Sequence, residues 1–401
     1  MPNRTIFNPH GRPPSINFLA FLSVSILLLV LCACFVSVAW GQQPAAKVRD
    51  WRQYHRLNMS RWNPYEHVLN VDNAGRLGLK WSYLSGSYVD SSPAVVNGAV
   101  YIGSGDGNVY ALNAKTGAKL WSYATGDQVQ SSPAVANGMV YVGSYDNNVY
   151  ALNAKTGAKL WSYTTGEAVF SSPAVTNGVV YVGSLDGKVY ALNASTSALL
   201  WSYATGGWVF SSPAVTDGVV YVGSFVFTDS KVYALNASTG ALLWSYTTGG
   251  TYAYSSPAVA NGVVYVGSDD YKVYALNAST GALLWSYNTG DVVDSSPAVA
   301  NGVMYVGSHD HNVYALNAST GALLWSYATG NGVFSSPAVA NGVVYFGSTW
   351  ADNRVYALNA KTGGLLWSYR TGNQVQSSPA VANGVVYVGS YDHGVYAFGL
   401  K

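Results

Sequence analysis

Few residues in this 401-residue chain have the types and spacing to do covalent chemistry. His309, Asp310 and His311 stand together and are metal-ligating types, but one turn supplies two or three ligands at most, and His393 is far along the chain. A metal site draws ligands from converging elements, so the trio reads as a surface turn and no metal is expected. Glu66 and Glu167 are the only glutamates, and Asp90 and Asp294 lie far apart. No nucleophile–base–acid triad, phosphate-cradling glycine loop or acid pair emerges. Cys32 and Cys34, the only cysteines, sit inside an apolar run, which leaves the rest of the chain without disulfide or thiol chemistry. No catalytic residue is expected.

Another kind of chemistry is suggested by the residue preceding each copy of Ser-Ser-Pro-Ala-Val. In order these are Asp90, Gln130, Phe170, Phe210, Tyr254, Asp294, Phe334 and Gln376. Aromatic faces interleaved with amides and carboxylates suit a sugar, a peptide or another small polar ligand. Packing of these side chains against one another is the alternative. Further aromatics, Trp208, Phe225, Phe227, Tyr271, Trp350 and Tyr391, fall in loops, where exposed rings anchor partners.

What must position these residues is a repeat. Ser-Ser-Pro-Ala-Val begins at 91, 131, 171, 211, 255, 295, 335 and 377, intervals of 40 to 44 residues. Each unit reads as four short strands: A (Ser-Ser-Pro-Ala-Val), an Asn-Gly hairpin, B (Val-Val-Tyr-Val-Gly-Ser), a variable loop, C (Val-Tyr-Ala-Leu-Asn) and D (Leu-Leu-Trp-Ser-Tyr). Asp217-Gly218 replaces Asn-Gly once. No helical period appears after residue 40. Eight such units predict an all-β fold, an eight-bladed β-propeller of four-stranded antiparallel blades. A lone strand D around Trp81 precedes the first unit, and the last unit stops after strand C, so the N-terminal strand is expected to complete the final blade. The domains are read as 1–40 targeting segment, 41–77 lead-in and 78–401 propeller. In a four-stranded blade the A–B and C–D turns share one face, and the B–C and D–A loops share the other. Every length change falls on the second face, which is therefore the candidate functional face. Pro93 and its equivalents are placed on an innermost edge that has no β partner. By blade count Asp90 and Asp294 fall on opposite sides of the ring.

Composition narrows the classes. With 49% apolar and only 9% charged residues the chain is not disordered. From residue 81 onward, acids outnumber bases and no basic stripe exists, so nucleic acid is not expected as a partner. At the N-terminus, Arg4 and Arg12 precede the apolar run 18–39, with small residues at Ser37 and Ala39. This fits an export signal, an uncleaved anchor, or a lipoprotein signal using Cys34. All three readings place the domain outside the cytoplasm, in the periplasm or at the cell surface, with membrane contact only through this segment. A monomer is expected.

The run Ala111-Leu112-Asn113 to Thr116-Gly117 to Trp121 recurs, ending at Trp161, Trp201, Trp244, Trp285, Trp325 and Trp367, with Ser197 in place of Gly once. It resembles the tryptophan-docking motif of the pyrroloquinoline-quinone (PQQ)-type propeller repeat over residues 78–401. That family includes quinone-dependent dehydrogenases and the membrane-tethered scaffold of an outer-membrane β-barrel assembly machinery. The dehydrogenases use a vicinal disulfide, a calcium site including Glu, Asn and Asp, and a catalytic Asp. None of these carries over here, and Arg354 and Arg370 are the only ring arginines for a quinone's carboxylates. The resemblance therefore implies an exported, non-catalytic propeller without cofactor, serving as a protein-binding scaffold or a ligand-binding module. A quinoprotein dehydrogenase and a carbohydrate-binding surface protein are the alternatives.

Overall fold

Eight sheets, each with strand order A-B-C-D, form the blades of a propeller. The computed structural model describes residue 2 and residues 50–401, apart from 57–58, 226–229 and 251–253. Apart from residue 2, the segment 1–40 that is expected to target the chain lies outside the described residues, as does Phe227. Blade 1 is typical: strand A Ala94–Val96, B Ala99–Gly103, C Asn108–Asn113 and D Lys119–Ala124. In blade 8, strand D is Leu77–Leu84 from the N-terminal side, paired antiparallel with strand C, Gly394–Leu400. The ring is closed as the unpaired first strand predicts.

The repeated residues are accounted for by turns and joints. Asn97 and Gly98 both have positive φ, 50° and 77°, as a type I′ hairpin requires, and the same holds in the other blades. Asn113 Oδ1 accepts the N–H groups of Lys115 and Thr116, which fixes the C–D turn. Asn193, Asn236, Asn277 and Asn317 do the same in theirs. Each docking Trp reaches the next blade: Trp121 Nε1 donates to Ala154 O at 3.0 Å and Trp244 Nε1 to Ala278 O at 2.9 Å. A Cβ on Gly281 would stand 2.7 Å from the Trp244 ring, so the Thr-Gly glycine is required by both its φ of 72° and its neighbour. Trp367 differs, because strand C of blade 8 runs on where the receiving turn would be. It packs instead on Phe398, ring centroids 5.0 Å apart.

Both serines of the repeat are joints too. Ser92 N–H donates to Ser132 Oγ, Ser132 N–H to Ser172 Oγ, and so on around the ring until Ser378 N–H returns to Ser92 Oγ. The first serine donates Oγ–H to the next blade's first-serine carbonyl, as Ser91 does to Ser131 O, and accepts the strand B glycine N–H from Gly103. Buried hydroxyls with donor and acceptor both used are stabilising, and the same hydroxyl without partners is costly.

The inner edge of the ring departs from expectation. It is partnered by the lead-in, whose residues 51–56 and 59–63 run along it. The N–H of Val95 donates to Trp51 O, Val135 to Arg52 O, Val175 to Gln53 Oε1, Val259 to Met59 O, Val299 to Ser60 O and Val339 to Arg61 O. Blade 8 is reached by Asn63 Nδ2, which donates to Val381 O. The short strand Trp62–Asn63 pairs parallel to Ala338–Ala340. Arg61 is fully buried, donating to the carbonyls of Tyr54, Ser336, Pro337 and Pro379 and lying over the Trp51 and Tyr54 rings. Burial lowers its pKa to about 10. His55 beside it is pushed down to about 3 by burial and then by the Arg61 charge, so it is neutral. The lead-in leaves over the A–B turns, with Glu66 accepting N–H groups of Val68, Leu69 and Gly384. Glu66 is thus a structural anchor.

Candidate functional site

The other end of the channel is a well. Asp90, Gln130, Phe170, Phe210, Tyr254, Asp294, Phe334 and Gln376 line a single cavity of about 390 Å³. Each stands immediately before its blade's Ser-Ser-Pro-Ala-Val, the segment that leads into the innermost strand, which brings eight sequence-distant positions to one mouth. The wall also includes serines of the inter-blade ring, and the floor carries Tyr54 from the lead-in, whose hydroxyl bonds Ser296 Oγ at 3.1 Å and Ser336 Oγ at 2.7 Å. The inward lead-in therefore turns a through-channel into a closed-ended pocket.

The wall has three parts. Blades 3, 4 and 5 give a continuous aromatic arc: Phe170 meets Phe210 edge-on at 5.3 Å, and Phe210 meets Tyr254 at 4.7 Å. Blades 8, 1 and 2 give a polar arc. Tyr88 stacks on Tyr391 at 4.9 Å and donates to Gln128 Oε1, Gln130 Nε2 donates to the Tyr88 hydroxyl at 2.8 Å, and Tyr391 donates to Gln376 Oε1. Asp90 sits within this arc, and burial pushes its carboxyl up to about 6, opposed by a hydrogen bond from Tyr391. Burial raises the phenols of Tyr145 and Tyr391 well above the ordinary range. Blades 6 and 7 contribute a third unit, with His309 Nε2 2.9 Å from Asp294 Oδ2 and its ring 3.7 Å from Phe334. Asp90 (blade 1) and Asp294 (blade 6) are separated by blades 7 and 8, so they are not diametrically opposed.

Two loop positions fall elsewhere. Phe225 is buried, 2% exposed, under Trp208 and Phe210 with ring centroids at 5.3 and 6.3 Å, so it braces the aromatic arc from behind. An inserted loop with two phenylalanines reads as exposed, but its first ring had an apolar neighbour to cover it. Trp350 is 66% exposed and outside the well, and Phe227 lies outside the described residues. His311 is the positive-φ residue of its turn, φ 75°, and no group of three metal-ligating side chains forms among the described residues.

The aspartates of the B–C loops are fixtures of the frame. Asp146 Oδ2 accepts both the Tyr150 hydroxyl and the Gly126 N–H of the neighbouring blade, and Asp310 does the same with Tyr314 and Gly290. These bonds hold the Asp310 carboxyl below its ordinary pKa against the cost of burial, which is the largest single influence. Sequence reading missed Tyr54 as a lining residue, and Tyr88, Tyr145 and His309 as side chains that support the lining residues Gln130, Phe170, Phe334 and Asp294. The lead-in's aromatic-rich sequence was the available signal for the first.

Comparison with known proteins agrees with this architecture. A family described as the β-propeller of the beta-alanine-activating enzyme matches residues 65–263, and one described as outer membrane protein assembly factor BamB matches residues 333–401. The chain is an eight-bladed β-propeller of the PQQ-like repeat type. Among solved structures it is similar to a europium-containing methanol dehydrogenase, at 16% identity over 88% of this chain and 98% of that one, TM-score 0.77. BamB from Moraxella catarrhalis is similar at 21% identity over 81% and 98%, TM-score 0.68. The computationally designed Ika8 protein is similar at 20% identity over 79% and 97%, TM-score 0.71. No curated protein sequence matches.

Proposed function

We propose that this chain is an exported, non-catalytic binding propeller whose well, on the variable-loop face, receives a small ligand or a side chain of a protein partner. The observation that carries the reading is the convergence of all eight pre-strand residues on one closed-ended cavity, aromatic on one arc and hydrogen-bonding on the other. Such a wall combines stacking area with a few orienting polar groups, which is how small-molecule sites are built. It holds no nucleophile paired with a base, and the carboxylates of Asp90 and Asp294 belong to different units of the wall.

A quinone cofactor does not fit these residues. PQQ is a polycarboxylate, and the well presents Asp90 and Asp294 with no lysine or arginine in its wall. Arg354 is engaged by Asp352 and Ser368, Arg370 donates to Ala351 O, and Arg61 is committed to backbone carbonyls below the floor. The similarity to BamB supports a protein partner as the source of the bound group, and export or tethering by residues 1–40 is part of the same proposal.

Ligand-observed NMR with monosaccharides, disaccharides, blocked amino acids and dipeptides tests the reading. Saturation transfer to at least one class, abolished in Gln130→Ala and Phe170→Ala, is expected. Transfer that survives both substitutions, or none from any class, defeats it.

A further inference from the structure

We infer that the group this well selects is an organic cation, a guanidinium or alkylammonium carried on an apolar stem. This rests on the well being the binding site, and it follows from the charges and rings around it. The ionisable groups of the wall are Asp90, Asp294 and tyrosine, with no lysine or arginine among the lining residues. Asp294 is shared with His309 at 2.9 Å, which leaves Asp90, whose neighbour is the Tyr391 phenol and no cation, as the principal anionic partner. Across the mouth from Asp90 in blade order stands Tyr254, in ring contact with Phe210, so a cation seated on Asp90 extends its stem over the aromatic arc of Phe170, Phe210 and Tyr254. Ring faces carry negative charge and attract such cations, most of all where water is thinned. A neutral sugar would use the rings and amides but leave the Asp90 carboxylate unmatched.

The rest of the molecule agrees. From residue 81 onward, every described acidic residue but Asp217 belongs to a B–C or D–A loop, on the well's side of the ring. Lys115, Lys155 and Lys361 occupy C–D turns and Lys119 and Lys159 begin strands D at the opposite end, while Lys188, Lys231, Lys272 and Arg354 begin strands C and Arg370 ends a strand D at the well's end. The acids still outnumber the bases around the well, and that excess gives its face a negative field that concentrates cations and repels anions before contact.

Isothermal titration of the intact propeller with four probes decides the matter: agmatine, N-acetyl-arginine amide, its neutral isostere N-acetyl-citrulline amide, and glucose. Both guanidinium probes should bind, and the citrulline compound should bind about 10-fold or more weakly, as loss of a cation–π and ionic contact implies. Asp90→Asn should erase most of that preference, while Asp217→Asn, on the far face, should keep it. Stronger binding of agmatine than of the arginine amide identifies a free amine as the source; the reverse identifies a partner's side chain. Equal affinity for citrulline and arginine, an unchanged preference in Asp90→Asn, or binding of glucose alone overturns the cation assignment while the well stays a site. Silence from all four probes overturns both.

Discussion

Replacing Asp90 by Asn should make the protein more stable at pH 8, although it removes a group from the proposed site. Asp90 has a folded-state pKa of about 6 against the ordinary carboxyl value of 3.8, caused first by burial. A raised acid pKa means that the folded state holds the proton more tightly than the unfolded chain. The ionised carboxylate therefore costs stability above pH 6, and that cost is relieved as pH falls through 6 toward 4. A shift of about two units corresponds to about 3 kcal/mol at full weight, and water in the well reduces it to about 1–3 kcal/mol. The groups facing Asp90 are the phenols of Tyr88, Tyr145 and Tyr391, all neutral in this range, and Tyr391 can donate to an amide oxygen as well as to a carboxylate. Urea denaturation of both proteins at pH 8 and pH 4 is the assay. With a slope of about 3 kcal/mol/M, the midpoint of Asp90→Asn should lie about 0.3–1 M higher at pH 8, with little difference at pH 4. A variant less stable than its parent at pH 8, or a gain equal at the two pH values, would show that the carboxylate is not strained by burial.

Trp244→Ala should cost about 3–5 kcal/mol through lost packing and an orphaned Ala278 carbonyl, lowering the calorimetric midpoint by about 4–7 °C for a domain of roughly 350 residues. Trp367→Ala, lacking a receiving turn, should cost less than half as much; equal losses would contradict the docking account. Ser197 has φ 63° where other copies have glycine, so Ser197→Gly should raise stability by about 0.5–1 kcal/mol in urea titration, and a loss would show that its side chain is needed. Arg61→Met should destabilise by about 3–5 kcal/mol, because four carbonyls lose a donor, and hydrogen exchange of the Val339 amide should accelerate before that of strand C. Dye-linked alcohol oxidation with added PQQ and calcium should be absent; measurable turnover would restore the dehydrogenase alternative.

The fold was legible because the repeat states its own turn chemistry. Asn-Gly at 97–98 permits one hairpin type, Pro93 marks an inner strand, and the unpaired strand at Trp81 needed the unpaired strand at Tyr396. The eight mouth positions were legible for a related reason: they are the variable residues next to an invariant motif. What stayed hidden depends on the third dimension. Nothing in the one-dimensional pattern says that Ser92 reaches Ser132 in the next blade, or that Phe225 turns inward onto Phe210. The path of the lead-in was hidden for the same reason. Most of the blade amides that it satisfies meet its backbone carbonyls, which every sequence has, and those amides are spread along the chain from Val95 to Val339.

The closure of blade 8 and the inward course of the lead-in set an order of assembly. Strand Leu77–Leu84 is made early and pairs with Gly394–Leu400, made last, while Arg52 and Arg61 wait for the inner edges of blades 2 and 7. During synthesis from the N-terminus, blades can form singly in sequence, yet the strand Leu77–Leu84, among the first to emerge, is the last to be paired. Until residue 400 arrives, the nascent ring has an open edge at both ends. A chain cut just before Gly394 would therefore leave Leu77–Leu84 without its partner strand, while the bonds that hold Tyr54 and Arg61 under the well, all made to residues before the cut, would remain.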